Sequence, residues 1–147
     1  MRKHQYRLSL VDPHSFQLRD SLGDLLATIT LDRDDRAAIH TTAGRFSVSR
    51  AAVMAKTSPS GIYELEDKLQ WKPMSLWHGV YGWTFRDGSV AVRFVPAASE
   101  NSKQFLITVE RPISDEIRVI AIGAYLLTLT GTDFVAWSAV ASAVKSS

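Results

Sequence analysis

A chain of 147 residues, 46% hydrophobic and 22% charged, has the make-up of one folded domain, long enough to bury roughly two-thirds of its unfolded surface. It contains no cysteine, which excludes disulfides, thiolate metal sites and cysteine nucleophiles. A formal net charge of +2, without a basic stripe or a recognition motif, argues against a nucleic-acid partner.

The basic opening Met1-Arg2-Lys3-His4-Gln5-Tyr6-Arg7 leads into no long apolar run and does not read as a signal peptide. With the absence of cysteine, this sets the expectation of a cytoplasmic chain, peripheral to a membrane at most. From Gln5 to Glu110 short alternating segments dominate. Tyr6, Leu8 and Leu10 alternate with Arg7 and Ser9, and Phe16 and Leu18 with Gln17 and Arg19. Leu25, Ala27, Ile29 and Leu31 form one face against Thr28 and Thr30, and Phe46 and Val48 alternate with Arg45, Ser47 and Ser49. A period of two is what a sheet with one dry and one wet face requires.

Two hairpins can be registered from sequence. If Glu66-Asp67-Lys68 is a three-residue loop, Leu65 pairs with Leu69 and Tyr63 with Trp71; a two-residue loop would set Leu65 against Lys68 instead. In the second, Asp87-Gly88 reads as a two-residue turn. That turn sets Phe85 against Val90, Trp83 against Val92 and Tyr81 against Phe94, all six on one face.

The texture changes at Pro112. Ser114 can cap a helix whose first turn carries Asp115 and Glu116 at the positive dipole end, and Thr130-Gly131 can end it. Between them the apolar residues from Ile117 to Leu129 cover every helical face, which places the helix in a protein core or in a bilayer. The uncharged run from Val119 to Thr132 is shorter than the ~20 residues a bilayer needs. Extending it through the apolar segment Phe134 to Val144 would bury Asp133, at about 2.5–3.5 kcal/mol. The core helix is the favoured reading and a tail anchor the alternative.

A helix dry on all sides needs a wrapper. The expectation is a mainly β (α+β) single domain over residues 1–147. A closed antiparallel barrel of about 10–12 strands, over residues 5–110, would surround a central helix over 115–130, with an apolar segment over 132–147.

This plan resembles the tubby C-terminal-like superfamily, which includes the LURP-one-related proteins and the phospholipid scramblases. Two stretches carry the likeness. Phe16-Gln-Leu-Arg-Asp20-Ser-Leu-Gly23-Asp-Leu-Leu26 is similar to the strand, Asp-x-x-Gly, strand element near the start of such chains. Ser114-Asp-Glu-Ile-Arg-Val-Ile-Ala-Ile-Gly-Ala-Tyr-Leu-Leu-Thr-Leu129 is similar to their final helix. The chain lacks the cysteine-rich and proline-rich segments of scramblases and is shorter than tubby domains. The resemblance implies no catalysis, and a barrel surface that meets anionic phospholipid headgroups or a membrane-associated protein.

A search for chemistry finds little. His4, His14, His40 and His78 show no metal-ligand spacing, and no G-x-S-x-G elbow or phosphate loop occurs. Asp32, Asp34 and Asp35 are interleaved with Arg33 and Arg36 and read as a solvated turn. No catalytic residue, cofactor or metal is assigned. Arg2, Lys3, Arg45, Lys68, Trp71 and Lys72 form the candidate lipid-binding set, because lysine near tryptophan suits an anionic lipid surface. Two alternatives stay open: a lipocalin-like barrel holding a small molecule, which a central helix would fill, and a hydrolase with an aromatic cleft around Trp71, Trp77, His78 and Trp83.

Overall fold

A computed structural model describes residues 4–12, 14–32, 36–55, 63–65, 68–75, 80–97 and 104–129. Nine strands form one antiparallel sheet: β1 (His4–Asp12), β2 (Ser15–Asp20), β3 (Leu25–Leu31), β4 (Arg36–Thr41), β5 (Gly44–Ser49), β6 (Gln70–Ser75), β7 (Val80–Thr84), β8 (Val90–Pro96) and β9 (Gln104–Val109). A short helix α1 (Arg50–Ala55) follows β5, and α2 (Glu116–Leu129) follows β9. The sheet order is β5-β4-β3-β2-β1-β9-β8-β7-β6. Two meanders, β1 to β5 and β6 to β9, are therefore sewn together by the β1–β9 ladder, in which Leu8 lies opposite Phe105.

Alternation decides which face is dry. Leu8, Phe16, Leu18, Ala27, Ile29, Ala37, Ile39, Trp83, Val92, Phe94 and Ile107 are buried together on the inner face. Every residue of α2 from Val119 to Leu127 is buried as well. Nine consecutive buried residues turn through more than two full helical turns, so the helix is enclosed and not merely laid on a sheet. It touches β3 and β4 on one side and β7 on the other. In a flat sheet β4 and β7 would stand roughly 29 Å apart, far wider than a helix of about 10–12 Å. The sheet must curl around α2, and bulges at Leu10/Asp12, Leu18/Arg19, Pro73/Ser75 and Trp83/Thr84 supply local bend and twist.

The curl does not close, which corrects the expected barrel of 10–12 strands. Among the described residues β5 and β6 are the two edges of a nine-stranded sheet, with no ladder between them. Beyond β6 the described residues add the isolated bridge Glu64 to Gln70. The reasons are local. The chain leaves β5 straight into α1, whose Val53 is buried in the core, so the stretch that would extend the ladder is helical. β6 carries Pro73, which has no N–H to offer and belongs at an edge.

The hairpin ending in Trp71 matches its expected register. Leu65 N–H donates to Leu69 at 2.9 Å, Trp71 N–H to Tyr63 at 3.0 Å, and Lys68 takes the positive φ (62°) that such a loop requires. In the β7–β8 hairpin the expected pairs Tyr81–Phe94 and Trp83–Val92 are present. Its turn is longer than expected. Phe85 N–H donates to Ser89 and Gly88 N–H to Phe85, both at 2.9 Å, so Arg86-Asp87-Gly88 is a three-residue loop with Gly88 at φ 90°. The extra residue is absorbed by the bulge, and Val90 meets Thr84 instead of Phe85. A second bulge pairs Arg19 with Leu25 and leaves Leu25 42% exposed, off the dry face its spacing suggested. The helix starts one residue later than expected, with Asp115 at φ 50° and its carbonyl accepting from Val119 N–H at 3.0 Å. The segment from 130 to 147, which holds the second apolar stretch, lies outside the described residues. No helix among the described residues is long and apolar enough to cross a membrane.

Candidate functional site

Antiparallel order fixes which side chains share an end of the sheet. β1, β3, β5, β6 and β8 begin at the same end where β2, β4, β7 and β9 finish. This rim also receives the first turn of α2. Arg45, at the start of β5, and Lys68, just before β6, are both exposed there. Lys72 lies further along β6 and is half-buried. Arg2 and Lys3 lie outside the described residues.

Trp71 is not at the surface. It is 7% exposed, stacked on Tyr81 at 5.8 Å with the rings 9° apart, and edge-on to Trp83 at 5.2 Å and Phe94 at 5.3 Å. Its position follows from parity, since Leu69 and Trp71 point inward opposite Trp83 while Lys72 points away. Of the Lys68–Trp71–Lys72 set, only the two lysines belong to a surface. Trp71 and Trp83 are likewise core and not cleft, and Trp77 and His78 lie outside the described residues. The Trp83 indole N–H donates to the Val119 carbonyl of α2 at 3.1 Å, whereas the Trp71 N–H is buried with no partner among the described residues.

Three more cations stand on the rim that sequence spacing alone did not gather: Arg86, Arg111 and Arg118. Arg86 reaches Glu64 at 3.8 Å and Arg111 reaches Asp87 at 3.7 Å while lying over the Phe85 ring at 4.6 Å. Arg118 lies over Phe46 at 5.6 Å. Among the described residues no carboxylate pairs with Arg45, Lys68 or Arg118. Arg45 and Arg118 share an open groove of about 320 Å³, walled by Thr41, Phe46 and the carboxylates Asp115 and Glu116. At the same end of the sheet the β2–β3 turn holds Leu22 86% exposed. That turn is the Asp-x-x-Gly element: Asp20 Oδ1 accepts from the amides of Leu22 and Asp24 at 2.9 Å each, and Gly23 sits at φ 90°.

Polar contacts stiffen the rim. Glu116 of α2 accepts from the Tyr6 hydroxyl and lies 3.1 Å from His4 Nδ1. Burial, then the Glu116 hydrogen bond and charge, then Asp20, hold the Tyr6 phenol proton well above the ordinary tyrosine range. In the β7–β8 loop the Ser89 hydroxyl and amide donate to Asp87 Oδ1 at 2.6 and 2.8 Å, and with Arg111 nearby they hold that carboxyl below the usual range. His14 and His40 are exposed, and Asp34 and Asp35 lie outside the described residues. No group of three His, Cys, Asp or Glu able to hold a metal occurs among the described residues. Antiparallel order alone gathers Arg86 and Arg111, which lie two positions past the ends of β7 and β9, whereas Arg118 reaches the rim through the first turn of α2. Comparison with family models, curated proteins and solved structures finds no match to this chain.

Proposed function

We propose that the chain is a non-enzymatic domain of tubby-like plan, peripheral to a membrane on its cytoplasmic side, that binds an anionic phospholipid surface through the rim. One observation carries this reading: Arg45, Lys68 and Arg118, in no ion pair among the described residues, share one end of the sheet with the protruding Leu22. Each basic side chain held near an anionic bilayer contributes roughly 1 kcal/mol, and an exposed leucine adds burial in the headgroup region. The curled sheet around a solid helix supports a scaffold role. The space a lipocalin would leave for a small molecule is filled by Ile120, Tyr125, Leu126 and their neighbours.

Sedimentation with phosphatidylserine vesicles tests the proposal. The wild-type chain should pellet at low salt and be released by raised salt. Arg45→Glu with Lys68→Glu and Arg118→Glu should abolish pelleting without lowering the melting temperature, and Leu22→Ser should weaken it. Pelleting that survives the triple reversal, or that ignores salt, would remove the rim from consideration.

A further inference from the structure

The outer wall of the sheet, which meets the rim at the β2–β3 turn, carries a second arrangement. Following Cα partners across five strands gives the row Leu25, Arg19, Arg7, Leu106, Val95. Arg7 and Arg19 stand directly opposite one another on β1 and β2. Like charges in that relation are unfavourable to the sheet. Among the described residues no carboxylate forms an ion pair with either of them. The Arg19 guanidinium is held by the Gly23 carbonyl at 2.9 Å and by Gln17 Oε1 at 3.1 Å, both neutral. One flanking row holds Ser9, Gln17 and Gln104, and the other holds Gln5, Thr108 and Arg93, the last already paired with Glu110 at 3.6 Å. On either side of the arginine pair an aliphatic residue faces solvent, Leu25 at 42% and Leu106 at 46%. A sheet that keeps two opposed, uncompensated guanidiniums between exposed leucines has the make-up of an interface centre.

We infer that this wall docks an extended protein segment with the pattern apolar–x–acidic–x–apolar. The spacing supports it. Strands lie about 4.8 Å apart, so the midpoint of the arginine pair is roughly 7 Å from Leu25 and from Leu106. Alternate side chains of an extended chain are about 6.6–6.8 Å apart. A carboxylate placed between Arg7 and Arg19 therefore sets its second neighbours over the two leucines. The carboxylate offers each guanidinium a charge-assisted acceptor and relieves their mutual repulsion. A bilayer fits this wall less well, because two cations fall below the four to eight basic residues of strong lipid patches. The inference does not depend on the rim reading, since the two surfaces share none of their residues.

Amide-resolved NMR titration of the full chain tests it, using a synthetic Leu-Ser-Glu-Ser-Leu peptide with neutral flanks and its Glu→Gln counterpart. The acidic peptide should shift amides around Arg7, Arg19 and Leu106. The Gln peptide, or the Arg7→Glu variant, should bind about tenfold or more weakly. Arg7 is the residue to change first, because Arg19 also holds the β2–β3 turn. Arg7→Gln should lose peptide binding while raising the melting temperature, an outcome a purely structural arginine would not produce. Absence of shifts, equal shifts with both peptides, or shifts produced by phosphatidylserine vesicles and not by the peptide would each overturn the inference.

Discussion

Two tryptophans in contact have opposite polar accounts. Trp83 donates its indole N–H to α2, and Trp71, packed against it, leaves its own N–H buried with no partner among the described residues. A net hydrogen bond contributes about 1 kcal/mol, and a buried orphan donor is itself unfavourable. Both Trp→Phe changes remove comparable ring volume, so their difference isolates the polar part. Trp83→Phe should destabilise the fold by about 1 kcal/mol more than Trp71→Phe, measured by denaturant midpoints at unchanged slope. The sequence placed both indoles on alternating, apolar-matched positions. It offered no way to see which would find a carbonyl, because that carbonyl comes from Val119, thirty-six positions further along the chain. The face of Trp71 is legible by contrast: its expected pairing with Tyr63 sets it on the apolar side of the pleat, opposite in parity to Lys72, and grouping it with the lysines follows nearness in sequence instead of the pleat.

At the level of elements, parity was legible and geometry was not. Apolar matching fixes Leu65–Leu69 and Tyr63–Trp71, and together with a turn at Asp87-Gly88 it fixes Trp83–Val92 and Tyr81–Phe94, because a one-residue slip would turn each set outward. The β7–β8 turn escaped because a two-residue turn and a three-residue loop with a compensating bulge preserve the same distal pairs. Closure was illegible for a similar reason, since an apolar helix demands enclosure and α1 and Pro73, not the helix, decide where the ladder stops. The fit of α2 to the sheet is tight at Gly123, where a Cβ would come within 2.6 Å of Phe94 Cζ and 2.9 Å of the Trp83 indole nitrogen. Alanine is the better helix former by about 0.8–1.0 kcal/mol, yet neither ring can retreat within a packed core. Gly123→Ala should therefore destabilise, by about 1–2 kcal/mol net, as overpacking outweighs propensity. A thermal melt showing Gly123→Ala at or above wild type would show that the contact between helix and sheet is looser than described.

For the molecule as a whole, the helix α2 is the filling and the sheet the wrapper, with the short α1 packed beside β5. Leu126, 4% exposed, lies among core side chains, so Leu126→Asp should cost more than about 3 kcal/mol through lost packing and an unpaired charge. Expressing residues 1–114 alone should yield a chain without a cooperative melt, because the inner face of nine strands would have nothing to bury against; circular dichroism during heating is the check. The first and last strands of the sheet's two meanders, β1 and β9, are neighbours at its centre, with His4 opposite Val109. All of this has a consequence in time. A ribosome delivers every strand before the helix that fills them, and at about 5–20 residues per second the delay between β1 and α2 is on the order of ten seconds. Over that interval the growing chain presents a bare apolar lining that it has no means of covering, which makes the nascent protein a natural client for a holding chaperone at the tunnel exit.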